Sequence, residues 1–217
     1  MKKTFVAICT VMASMFVAPS FAQQDAAAKN LLAQVSKKYD SFSTIQSEFS
    51  LIVTKGNQTV LNDKGNFSLD KKTNRYNIKS GMQHLISDGK SVWNIMPNQK
   101  EVEVNTADNN GKSINATNLF SFYKTGYKYV QAANEKVGAA VMNVVELTPV
   151  DTKSNYFKIK LRVNQTNKMI YDATVFDKGG MRYTYVLKNQ QTNKALANSL
   201  FTFNKADYKT YEIVDLR

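Results

Sequence analysis

A single cysteine and a single histidine in 217 residues leave little material for nucleophilic or metal-assisted chemistry. Cys9 sits in the N-terminal apolar stretch, so no disulfide can form, and there is no cysteine and histidine cluster to hold zinc. His84 has no serine in a Gly-x-Ser-x-Gly setting to activate, and nothing in the spacing of Glu48 and Asp88 brings those carboxylates together. The chain also lacks an Asp-x-Asp-x-Asp-Gly calcium loop, a glycine-rich phosphate cradle, internal repeats, low-complexity tracts and any linker that would divide it. These absences argue against an enzyme and against a bound metal or cofactor. The sequons at Asn57 and Asn115 read as chance matches in a chain with a bacterial type of leader.

What is present begins with that leader. Lys2 and Lys3 precede an apolar run over 5–17, and Ser20-Phe21-Ala22 offers small residues at the positions a signal peptidase reads, so cleavage is expected after Ala22. The run is shorter than the roughly 20 residues that span a bilayer, and Pro19 breaks it. No cysteine follows to accept a lipid. The expected product is a soluble, exported, monomeric domain over 23–217, long enough to be stabilised by burial without bridges. The formal net charge is +12, of which Lys2 and Lys3 leave with the signal segment. Such a balance attracts anionic surfaces, whereas the scatter of the basic residues and the exported location argue against nucleic acid.

After the leader, Leu31, Leu32, Val35, Tyr39 and Phe42 recur at helical spacing, with Asp25 as the expected cap and Asp40-Ser41 as the end. From Ile45 the period becomes two: Ile45, Ser47, Phe49, Leu51 and Val53 point one way, Gln46, Glu48 and Ser50 the other. Short polar connections then separate strand patterns through Phe67 and Leu69, Tyr76 and Ile78, 82–87, 91–96, and Val102 and Val104, which favours antiparallel meandering. Asp88-Gly89, flanked by alternating apolar residues, predicts a tight hairpin. A short aromatic helix is expected over 115–123. Strands are expected again over 141–147, 156–163, 169–176, 181–187 and 200–203, with an edge strand over 212–215. The spacing suggests a sandwich or a barrel.

Lys64-Gly65-Asn66-Phe67, Ser87-Asp88-Gly89-Lys90 with Trp93 and Pro97, the mid-chain helical segment and Phe201-Thr202-Phe203 together resemble the periplasmic lipoprotein carrier family (LolA-like). The resemblance implies a mainly β fold: one curled antiparallel sheet, an unclosed barrel, covered by an N-terminal helix and a short mid-chain helical lid. It implies a periplasmic carrier that holds the acyl chains of lipoproteins in an apolar cavity. The partners implied are an inner-membrane ABC-type release complex and an outer-membrane acceptor. Related members of the fold also serve as outer-membrane acceptors or as lipid-sensing regulatory domains, and the alternative function is a lipid-sensing or regulatory module acting on an envelope protein. The wall residues expected are Phe49, Leu51, Phe67, Leu69, Tyr76, Ile78, Met82, Ile86, Trp93 and Ile95, with Leu31, Val35, Leu119 and Phe122 on the covering helices. The family's lid-latching Arg-Pro pair is replaced here by Lys71-Lys72, so Lys71 and Arg75 are the candidate latches. The C-terminal region lacks the Pro-rich run of enterobacterial members, which marks a divergent lineage.

Overall fold

The structure, a computed structural model, describes residues 21–107 and 120–217. The apolar leader, the Asn109-Asn110-Gly111 loop and Leu119 fall outside them. Helix α1 (Phe21–Asp40) starts ahead of the expected Asp25 cap, because the Ala- and Gln-rich stretch before it favours helix throughout. The strands are β1 (Thr44–Lys55), β2 (Gln58–Asp70), β3 (Arg75–Ser80), β4 (His84–Ser87), β5 (Ser91–Met96) and β6 (Glu101–Thr106). After the mid-chain segment come β7 (Tyr127–Val137), β8 (Ala140–Pro149), β9 (Tyr156–Asn164), β10 (Ile170–Asp177), β11 (Met181–Thr192) and β12 (Glu212–Asp215).

All of them form one unclosed, curled sheet in the order β12-β6-β5-β4-β3-β2-β1-β11-β10-β9-β8-β7. Neighbours pair antiparallel as expected, except that β12 runs parallel to β6. That exception follows from the chain's path. The segment expected as a strand over 200–203 is a 3-10 turn (Asn198–Phe201) within a strap that crosses the outer face and delivers β12 to the far edge. The expected strand over 82–87 likewise begins only at His84, leaving Met82 half exposed in the β3–β4 turn. Strand β7 carries no strong alternation of its own. It is an edge strand with a register break between Ala132 and Glu135, packed against α1.

The sheet separates two apolar clusters. On the inner face, α1 lays Ala28, Leu31, Leu32, Val35 and Tyr39 over Ile45, Phe67, Leu69, Val145, Leu147 and Leu161. On the outer face, Ile86, Ile95 and Val102 lie beneath Trp93, Phe203, Tyr208 and Tyr211, the rings of Trp93, Phe203 and Tyr208 stacking in series at 5.4 and 5.2 Å. The strap is also pinned by Arg75, which bonds Asn198 and Asp70 and lies 4.7 Å over the Phe201 ring. Asn77 bonds the Leu200 carbonyl and receives His84 at 3.1 Å. His84 thus has a structural partner, and burial, then Lys79, hold its imidazole below its ordinary range.

Two glycines explain the local sequence signals. Asp88-Gly89 is not a two-residue turn. The Asp88 carboxylate accepts from the Lys90 and Ser91 amides in a wider loop, and only Gly89 takes a positive φ, +91°. Gly65 lies opposite Phe49 on β1, and a methyl there would meet the Lys79 carbonyl at 2.2 Å and the Phe49 ring at 2.7 Å. The Gly-x-Phe pattern therefore lets one aromatic ring lie over the backbone of its neighbour strand. Gly65→Ala is expected to cost about 2–3 kcal/mol, lowering the thermal midpoint by about 5–10 °C in a circular-dichroism melt.

Candidate functional site

The inner face does not fill completely. Between the sheet and the segment after residue 119 lies a cavity of about 390 Å³, within the roughly 300–1,000 Å³ range of ligand sites. Seven strands contribute inward-facing residues: Phe49 from β1, Phe67 from β2, Ile78 from β3, Leu85 from β4, Ile159 and Leu161 from β9, Ile170, Ala173 and Val175 from β10, and Tyr185 and Leu187 from β11. Phe120 and Phe122 close it from the mid-chain segment. Among the described residues, no lining side chain is charged, and only Tyr185 carries a polar side-chain atom.

The cover is held by aromatic packing and by a few polar clasps. Tyr39 of α1 stacks on Phe120 with centroids 4.3 Å apart, and Phe120 also meets Phe67 at 6.0 Å. Phe122 packs edge-on against Tyr127 of β7. The Tyr39 hydroxyl donates to Gln190 at 2.7 Å and accepts from the Ile170 amide at 3.1 Å, where β10 shifts register and frees that amide. Lys71 donates to the Tyr39 carbonyl at 2.5 Å, in the last turn of α1, where a cation complements the helix dipole. Burial lowers the Lys71 pKa, with Asp40 opposing and Lys124 adding to the shift.

The buried phenols of the cover make it sensitive to base. Burial pushes Tyr39 upward, and pushes Tyr123 from its ordinary value near 10 up to about 12. A folded state that holds a proton more tightly than the unfolded chain keeps its full advantage below the unfolded pKa and loses it as pH rises through the folded one. Urea midpoints are therefore expected to fall between pH 10 and 12, less steeply in Tyr123→Phe.

Of the expected wall, Phe49, Phe67, Ile78 and Phe122 line the cavity. Leu31, Val35 and Leu69 are buried in the core beside it, and Tyr76 packs against that core. Leu51 stands on the inner face toward the open end, opposite Tyr185, without lining the cavity. Met82 is in a turn. Ile86, Trp93 and Ile95 point to the outer face under the strap, so their assignment to the wall is corrected. In a period-two element a one-residue offset reverses the face, and Leu85, next to Ile86, is the residue that lines the cavity. On β5 it is Trp93 and Ile95 that join the strap's cluster. The latch is also redrawn: Lys71 holds α1, and Arg75 holds the strap. The expected lid helix is, in its described part, one 3-10 turn (Phe122–Lys124). Sequence reasoning misses Ile159, Leu161, Ile170, Ala173, Val175, Tyr185 and Leu187, although their alternation along the C-terminal strands marks the same inner face.

An open, curled sheet with an uncharged inner hollow and a helical cover is the lipoprotein-carrier type of fold, a binding scaffold for apolar ligands. The sequence profile of the family described as "Outer membrane lipoprotein carrier protein LolA" matches residues 40–204, and the chain belongs to that family. It is 28% identical over 207 residues to an outer-membrane lipoprotein carrier protein of Pectobacterium carotovorum subsp. carotovorum (strain PC1), covering 93% of each chain. It is also 28% identical over 181 residues to one of Actinobacillus pleuropneumoniae serotype 7 (strain AP76), covering 80% of this chain and 79% of the other. An uncharacterised conserved protein from Thermus thermophilus shares the fold, with a TM-score of 0.58 at 8% identity, over 87% of this chain and 99% of that one. Among the described residues, no helix is long and apolar enough to cross a membrane, and no three metal-binding side chains come together.

Proposed function

We propose that this protein is exported, loses its leader after Ala22, and ferries lipoproteins across the periplasm with their acyl chains in the inner cavity, without catalysing a reaction. The observation that carries this reading is the hollow of about 390 Å³, walled by apolar side chains from both halves of the sheet and closed by Phe120 and Phe122. Acyl chains in water are penalised by about 25 cal/mol per Å² of exposed apolar area, so a carrier must present matching surface that its own side chains leave open. The partners this role requires are an inner-membrane ABC-type release complex and an outer-membrane acceptor. The positive formal charge suits an approach to anionic membrane surfaces.

The test is release. Inner-membrane vesicles bearing radiolabelled lipoproteins and the intact release machinery are mixed with the mature protein, and soluble lipoprotein is measured. A stoichiometric soluble complex is expected. No release under those conditions overturns the reading, and a stable protein partner without transfer would favour regulation of an envelope protein instead.

A further inference from the structure

Among the described residues, the cavity wall has one polar side-chain atom and one gap, and they are neighbours. Among the lining residues only Tyr185 has a side-chain hydroxyl, and Ala173, its partner across the β10–β11 pairing, is the smallest side chain in the set. Their position is at the rim. Along β11 the inner face runs from Leu187, 9% exposed, to Tyr185, 40% exposed, while Ile159 and Leu161 on the wall behind are fully buried. Leu51 flanks Tyr185 on its other side across the β1–β11 pairing, and Tyr183 follows along the same face, so Tyr185 is the exposed position between apolar neighbours and a second phenol. Among the described residues the Tyr185 hydroxyl has no hydrogen-bond partner. A phenol at such a boundary keeps its ring in the apolar layer and offers its O–H outward.

On the reading that acyl chains occupy this hollow, we infer that Tyr185 is a positioning residue for the carbonyl at the head of an acyl chain. It donates to that oxygen while the chain descends through the gap over Ala173. The arrangement fixes a direction. The methyl end of the chain goes toward Phe67 and Ile78, and the head, with the protein attached to it, stays in water. An alkyl chain without a carbonyl would enter the same hollow without this registration. The shared chemistry is the acyl carbonyl, supplied either by a glyceryl ester or by an amide on the lipidated residue.

The experiment compares synthetic lipopeptides of equal chain length: a diester, the corresponding diether, and the diether carrying an N-acyl amide. Affinities are read by fluorescent-probe displacement on the mature wild-type protein and on Tyr185→Phe, which keeps the ring. Wild type is expected to prefer a carbonyl-bearing lipopeptide over the diether by about fivefold to tenfold, the worth of one hydrogen bond, and Tyr185→Phe to bring that ratio near one. A preference for the diester identifies the ester as the source, and one seen only with the N-acylated diether identifies the amide. Equal binding of all three by wild type, or a preference that survives in Tyr185→Phe, overturns the inference and leaves the carrier reading standing. If wild type binds none of them, it is the carrier reading that fails.

Discussion

Ala173→Phe is expected to abolish most binding of acylated ligands while leaving the fold intact. The side chain projects from the middle of β10 into the hollow, between Leu161 on β9 and Tyr185 on β11. A benzyl group there occupies space that ligand would otherwise use. If it displaces roughly four methylenes at about 0.8 kcal/mol each, affinity falls by two orders of magnitude or more. Because the added ring enters a void and not a packed core, the thermal midpoint is expected to hold or rise. Ala173→Leu, which fills less, is expected to give an intermediate loss. Binding is measured by probe displacement and folding by circular dichroism. Full affinity in a folded Ala173→Phe protein would place the ligand elsewhere.

The second large effect concerns stability and lies on the opposite face. Asp172 is 1% exposed, and its carboxylate is gripped by Arg162, whose Nε donates at 2.9 Å and whose Nη2 also bonds it. Arg162 reaches Glu135 as well, at 3.1 Å, so β7, β9 and β10 are tied together behind the cavity wall. These contacts raise the Arg162 pKa further, the Asp172 hydrogen bond being the largest cause. Removing the guanidinium leaves a buried charge without compensation, a change that costs roughly 3–5 kcal/mol where both partners are deeply buried. Arg162 is 24% exposed, which puts the expectation at about 3 kcal/mol, or a fall of about 6–12 °C in the thermal midpoint of Arg162→Ala. Replacing both partners with leucine is expected to recover much of the loss. A small destabilisation of Arg162→Ala would show that water reaches Asp172.

The parts of this protein that follow from local chemistry are readable in the chain itself. The helix carrying Leu31, Val35 and Tyr39, the alternation along β1, and the polar connections that enforce antiparallel pairing are consequences of periodicity, and they stand in the structure. The Gly65 and Phe67 pattern is legible as a signature, while its reason, the Phe49 ring over a bare backbone, needs the cross-strand register. The faces of β4 and β5 are not legible. Both faces there are covered, one by the cavity side and one by the strap, so hydrophobicity does not tell Leu85 from Ile86 or assign Trp93. The strap itself has the pattern of a strand because Leu200, Phe201 and Phe203 are apolar and aromatic. They serve instead as anchors of irregular backbone, held by Arg75 and Asn77. Half of the cavity wall comes from β9 to β11, more than a hundred residues after β1, and only pairing β11 with β1 brings the two sets together.

A lipopeptide carrying a diazirine midway along one acyl chain can be photolysed on the mature protein and the labelled residues mapped by mass spectrometry. Labels are expected on Phe49, Leu161, Val175 and Phe122, on the inner face. Labels concentrated on Trp93, Phe203 and Tyr208, beneath and along the outer strap, would contradict the central claim that the inner hollow receives the chain.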